Sequence, residues 1–121
     1  MGILEYIERN GKGTQVRVYV AGPMRGYENW NYPLFNRATE ALRRTGAFVV
    51  NPVEISRFAG TPEEIERNPS LLFHLLEADI ALLKTCDAIV LLPGWEWSDG
   101  ARQELQTALA AGLGVFEWEQ E

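Results

Sequence analysis

Residues 88–92, Ala-Ile-Val-Leu-Leu, run apolar without a break between Asp87 and Pro93. A strand with water on one face alternates, whereas an unbroken run suits a strand covered on both faces, as in a parallel sheet between helices. Val16–Ala21 is β-branched and alternating, and Phe48-Val49-Val50 and Val115-Phe116 are shorter strand candidates. Helical patterns separate them: one from about Asn31 to Thr45 with Pro33 in its first turn, one from Ser70 to Lys84 with Ser70 placed as cap, and one from Ser98 to Ala111. Residues 53–69 read as a loop with a short helical piece near Pro62-Glu63-Glu64. Residues 3–8 read as a possible extra strand, closed by the turn Asn10-Gly11-Lys12-Gly13. The order predicts a three-layer α/β/α domain of flavodoxin or Rossmann-like type, with an open parallel sheet of about four to five strands. At 121 residues the chain has room for one domain, residues 1–121, with 1–15 as an N-terminal extension.

Charge narrows the partners. Lys+Arg number 11 against 17 Asp+Glu, a net charge of −6 that repels a nucleic-acid polymer but permits a small phosphorylated ligand on a local patch. Cys86 and His74 are the sole cysteine and histidine, so no internal disulfide forms and a zinc site would need mostly carboxylates. We therefore expect no metal and no cofactor. No apolar run approaches the roughly 18 residues of a membrane helix, and the first residues lack a signal-type stretch. A soluble cytoplasmic protein without a membrane partner is the expectation.

In an open parallel sheet, ligands bind beyond the carboxyl ends of the strands, which directs attention to residues 22–32, 51–60 and 93–100. The first of these begins Gly22-Pro23-Met24-Arg25-Gly26, a glycine pair around one cation. Arg25 has the planar fork that clamps a phosphate, although an exposed loop arginine is commonly only solvated. The glycine spacing and lysine of a Walker loop or dinucleotide fingerprint are absent. In the third segment, Ser98 is a good N-cap and Gly100 leaves the helix N–H groups approachable. Such an N-terminus can hold an anion, and simple capping is the commoner use.

Two acids break the helical pattern. On a wheel of roughly 100° per residue, Asp79 falls among Leu72, Leu75, Leu76 and Leu83, opposite Ser70, His74, Glu77 and Lys84. A carboxylate there must be paired or put to use, either capping a neighbouring segment or holding a proton for donation. Glu104 lies at the edge of the apolar face Ala101, Leu105, Ala108 and Leu109, where solvation competes with a catalytic role. Ser98 and Glu104 are roughly 9 Å apart along a helix axis, a span compatible with a nucleotide whose phosphate sits at the cap and whose sugar lies over Glu104. The chain also carries 4 Trp, of which Trp118 reads as core and Trp97 as either core or site.

Together, Tyr19-x-Ala21-Gly22-Pro23-Met24-Arg25-Gly26, Asn29-Trp30, Phe35-Asn36, Asn51-Pro52, Asp79, Cys86-Asp87, Leu92-Pro93-Gly94-Trp95 and Ser98-x-Gly100-Ala101-x-x-Glu104 form a recognisable set. Over residues 16–118 it resembles the nucleoside 2-deoxyribosyltransferase-like superfamily, in particular a small bacterial and phage-borne branch labelled as a domain of unknown function. It is also similar to the 2′-deoxynucleoside 5′-monophosphate N-glycosidases and the CMP-type N-glycosidases of that fold. The resemblance implies that Glu104 is the nucleophile at the anomeric carbon, Asp79 the acid near the leaving base, and Tyr19 the strand tyrosine beside the nucleophile. It implies a 5′-phosphate held by Gly22, Arg25, Ser98 and Gly100, with Gly26 in the same loop, and a base stacked on Trp30, Tyr32, Trp95 or Trp97. It further implies a homodimer or higher homo-oligomer. The expected activity is hydrolysis of the N-glycosidic bond of a (deoxy)nucleoside 5′-monophosphate; base exchange by a deoxyribosyltransferase, or nucleotide sensing without turnover, are the alternatives. The chain departs from the pattern at Tyr27-Glu28, at Tyr32 before Pro33, and in the Trp95/Trp97 loop.

Overall fold

In strand β1 (Arg17–Ala21), Val18 and Val20 join one hydrophobic core, while Tyr19 and Ala21 join another. That alternation is the pleat of a strand buried on both sides, and the computed structural model, which describes residues 1–119, is organised around it. Strand β2 (Phe48–Val50) lies on one side of β1, and β3 (Ala88–Leu91) and then β4 (Gly114–Glu117) on the other. The order is β2-β1-β3-β4, and every neighbouring pair is parallel. Four strands and flanking helices make the expected three-layer α/β/α domain.

Helices α1 (Ile3–Asn10) and α2 (Tyr32–Arg43) cover the Val18/Val20 face with Ile3, Ile7, Phe35, Ala38 and Leu42. On this side Trp118 is buried, the structural role expected of it, and Tyr32 packs against the same core. Helices α5 (Pro69–Leu83) and α6 (Asp99–Ala110) cover the Tyr19/Ala21 face with Leu83 and Ala108. The chain moves outward from β1 to β2, then crosses back to β3 on the far side of β1. The crevice of such a sheet therefore opens where β1 and β3 end.

Three local expectations are corrected. Residues 3–8 are helix rather than an extra strand, because their apolar positions recur four apart: Ile3 and Ile7 are both buried, and Glu5 and Arg9 pair along the outer face. Residues 52–59 form helix α3 (Pro52–Ala59), not loop. Asn51-Pro52 ends β2 and also starts this helix, with the Asn51 side chain accepting from Val53 N–H at 3.0 Å and Pro52 in the first turn. The short helical piece at Pro62 is helix α4 (Pro62–Glu66), opened by a Thr61–Glu64 capping box. Asn68, not Ser70, caps α5: its Oδ1 accepts from Leu71 N–H at 3.1 Å, with Pro69 in the first turn. Among the described residues, no helix is long and apolar enough to cross a membrane.

Candidate active site

A cleft of about 430 Å³ opens beyond the ends of β1 and β3, a volume suited to a small molecule. The segment after β1 supplies Gly22, Arg25, Tyr27 and Trp30; α5 supplies Leu72, Leu76 and Asp79; and the start of α6 supplies Ser98, Gly100, Gln103 and Glu104. Open clefts of about 530 and 640 Å³ lie beside Lys12–Val16 and outside α2 and α3, but neither contains a buried ionisable side chain.

The chemistry gathers on the Tyr19 face of the sheet. Tyr19 is fully buried, and its hydroxyl donates a hydrogen bond to Glu104 Oε2. Glu104 is 9% exposed and Asp79 8%, so both pattern-breaking acids are buried rather than solvated. Glu104 owes its burial to the inward stripe Ala101–Glu104–Ala108 of α6, spaced one turn apart and packed toward the sheet, while Gly100 and Gln103 beside it line the cleft. Asp79 has one inner oxygen, Oδ1, without a hydrogen-bond partner. The capping role open to it from its position is therefore not what that oxygen does.

Burial dominates the electrostatics. Desolvation pushes the Asp79 carboxyl up to about 7. It pushes Glu104 up to about 8, with the Tyr19 hydroxyl pulling down and the charge of Asp79 adding a further upward push. Tyr19 is raised well above its ordinary value by burial and then by the two neighbouring acids, so it stays a hydrogen-bond donor. Two acids titrating near neutrality in one cleft are the combination that general acid–base chemistry uses.

The cleft mouth is polar on one side. Arg25 is exposed and is the one cation among the described lining residues. Ser98 caps α6, its Oγ accepting from Ala101 N–H at 3.2 Å, and also lines the cleft. Asp99, beside that N-terminus, is ion-paired with Arg102, whose guanidinium also donates to the Glu96 carbonyl at 3.2 Å. Gly22 is needed for close approach: a Cβ there would lie 2.8 Å from Leu92 Cβ, so the ends of β1 and β3 meet only because it has no side chain.

Of the residues singled out from sequence, the structure brings Asp79, Glu104, Gly22, Arg25, Trp30, Ser98 and Gly100 into the one cleft, with Tyr19 bonded behind Glu104. Gly26, Trp95 and Tyr32 do not line it. Gly26 sits in the adjacent turn at φ 83°. Trp95 Nε1 donates to Glu117 Oε1 at 3.1 Å and its ring packs on the Tyr19-side core, so the aromatic wall on that side is the exposed Trp97 instead. Tyr27, Leu72, Leu76 and Gln103 line the cleft and were missed. Gln103 was legible from its place one turn after Gly100 and beside Glu104; Tyr27 carried no such signal.

A family model described as Domain of unknown function (DUF4406) matches residues 16–117. The chain belongs to the DUF4406 family. The match begins just before β1 and ends with β4, so in this DUF4406 protein it takes in the whole sheet and every residue of the cleft, and leaves α1 outside. No curated protein matches the chain.

Proposed function

We propose that this chain is an N-glycosidase that releases the base from a (deoxy)nucleoside 5′-monophosphate, with Glu104 as nucleophile. The observation that carries the reading is the buried Tyr19–Glu104 hydrogen bond facing Asp79 in a cleft with one cation at its rim. N-glycosidic cleavage builds positive charge at the anomeric carbon, and a carboxylate beneath the sugar traps it. Glu104 forms the bond to that carbon as the bond to the base breaks. Asp79 gives its proton to the departing base, then takes one from the water that hydrolyses the glycosyl ester. Base and sugar 5-phosphate leave, and both carboxyls return to their starting states.

Tyr19 distinguishes the two acids. Its donated hydrogen bond favours the charged form of Glu104, the form that attacks, while the inner oxygen of Asp79 has no donor to favour its charge. Arg25 and the exposed N–H groups at the start of α6 supply the phosphate contacts. Trp30 and Trp97 supply stacking surface for the base, worth about 1–3 kcal/mol per stacked base in comparable sites. Phe73 stands exposed on α5 outside the cleft, an apolar side chain that a second copy of the chain would cover, which supports a homo-oligomer.

The deciding experiment incubates the protein with each nucleoside and deoxynucleoside 5′-monophosphate and separates free base by chromatography. Release of base, lost in Glu104→Ala, supports the reading. Transfer of the sugar to an added second base assigns the same site to deoxyribosyl transfer. Tight nucleotide binding with no release from any member of the panel overturns catalysis in favour of a sensor. Light scattering on the purified chain tests the oligomer, and an active monomer would remove it.

A further inference from the structure

The loop after β1 contains three consecutive non-glycine residues in the left-handed region: Asn29 at φ 52°, Trp30 at φ 51° and Asn31 at φ 61°. Asparagine tolerates that region, but a bulky tryptophan there is a genuine outlier, kept only where its surroundings impose it. The surroundings are visible. Asn31 Nδ2 donates to the Pro23 carbonyl at 2.9 Å, and the Trp30 N–H donates to the Tyr27 carbonyl at 3.0 Å. The Tyr27 N–H donates in turn to the Met24 carbonyl at 3.2 Å, and its hydroxyl lies beside Gly94. The Asn31 amide thus ties the strained turn bearing Trp30 to Pro23, two residues before Arg25, and both Trp30 and Arg25 line the cleft.

We propose that Asn31 is a positioning residue whose amide latch on the Pro23 carbonyl holds the left-handed turn, and so fixes Trp30 relative to Arg25 across the length of the ligand. The assignment of Trp30 to a base and Arg25 to a phosphate rests on the nucleotide reading above; the latch itself rests on the hydrogen bond and the three dihedral angles. Strain held at a binding cleft is the mark of preorganisation, because a wall already in place need not be ordered when the ligand arrives. Without the latch the turn relaxes toward ordinary dihedral angles and the Trp30 ring leaves the cleft, while Glu104, Asp79 and Tyr19 stay where they are.

The test uses Asn31→Gly, which permits the left-handed backbone but removes the amide, and Asn31→Asp, which keeps the size but sets an acceptor against a carbonyl. Both are expected to raise KM for the cleaved nucleoside 5′-monophosphate about tenfold with kcat changed less than twofold, the pattern of lost binding rather than lost chemistry. Asn29→Gly, which eases the strain with the latch intact, leaves KM at or below the parent value. In the free protein, acrylamide quenching of Trp30, taken as the difference from Trp30→Phe in the same background, rises in both Asn31 variants. Quenching needs no substrate. If the parent cleaves no nucleotide, the proposed activity fails, yet quenching still decides the latch. Parent-like quenching in the two variants overturns the proposal, as does raised quenching with parent-like KM. Loss of folding in both also overturns it, since a latch confined to a surface turn leaves Tm within a few degrees.

Discussion

The Tyr19 hydroxyl on the central strand donates to the carboxylate of Glu104 on α6, across 85 positions of sequence. Neither residue is exposed, and the bond closes the floor of the cleft beneath the solvent-facing rim. Removing its donor leaves Glu104 with only the forces that push its carboxyl upward. Tyr19→Phe is therefore expected to raise the Glu104 value above about 8 and shift the acidic limb of kcat/KM to higher pH, with a loss of about 10–100-fold at pH 7. Glu104→Gln should lose at least about 1,000-fold, because no nucleophile remains. A pH–rate profile of each variant checks both.

Stability should fall as pH rises. Asp79 and Glu104 sit in the folded chain at about 7 and about 8, above their ordinary values of 3.8 and 4.5. Between the unfolded and folded values the folded chain holds more protons, so the contribution of these two groups is fully present below about pH 4, falls as pH rises and is gone above about pH 8. Asp79→Asn and Glu104→Gln remove the buried charge and should be more stable than the parent at pH 8 by about 1–3 kcal/mol. The gain shrinks toward pH 4. Urea unfolding at several pH values reads the difference, and a parent whose stability increases over that range contradicts it.

Arg25→Ala separates phosphate from nucleoside recognition. Arg25 is the one cation lining the cleft among the described residues, so its loss should weaken binding of a nucleoside 5′-monophosphate by about 10–100-fold while leaving the unphosphorylated nucleoside unaffected. Calorimetric titration with the two ligands measures the contrast.

Gly22→Ala probes the meeting of β1 and β3. The added Cβ would stand 2.8 Å from Leu92 Cβ, against a fully buried leucine that has little room to move. Destabilisation of about 1–3 kcal/mol is expected from overpacking of this kind. The companion variant Gly26→Ala meets nothing within 4 Å but carries φ 83°, so its cost comes from the backbone alone.

Much of the architecture was legible because it depends on local pattern. The unbroken run at Ala88–Leu92, the alternation at Val16–Ala21 and the caps at Pro33 and Ser98 are short-range signals, and each marks a real element. Two misreadings came from ambiguity at the same range. Ile-Leu-Glu-Tyr-Ile passes for a strand until Ile3 and Ile7 are seen to bury together, and Asn51-Pro52 reads equally as the end of β2 and the start of α3. Trp95 stands outside the cleft for a reason of a different kind. Its direction depends on Glu117, the end of the last strand, which no window around residue 95 contains.

By itself the sequence determined the parallel α/β sandwich, the segments that end at its crevice, and the identity of the two acids that interrupt apolar faces. It did so because strand and helix periods, caps and charge patterns act over a few residues. Only the tertiary structure decided that Glu104 is buried rather than solvated, that Tyr19 is its donor, that Asp79 keeps an unpartnered oxygen, and that Asn31 reaches back to Pro23. Those facts come from packing α5, α6 and the β1 loop around one end of the sheet. Burial and hydrogen-bond partners are properties of that closed arrangement, and no stretch of chain carries them alone.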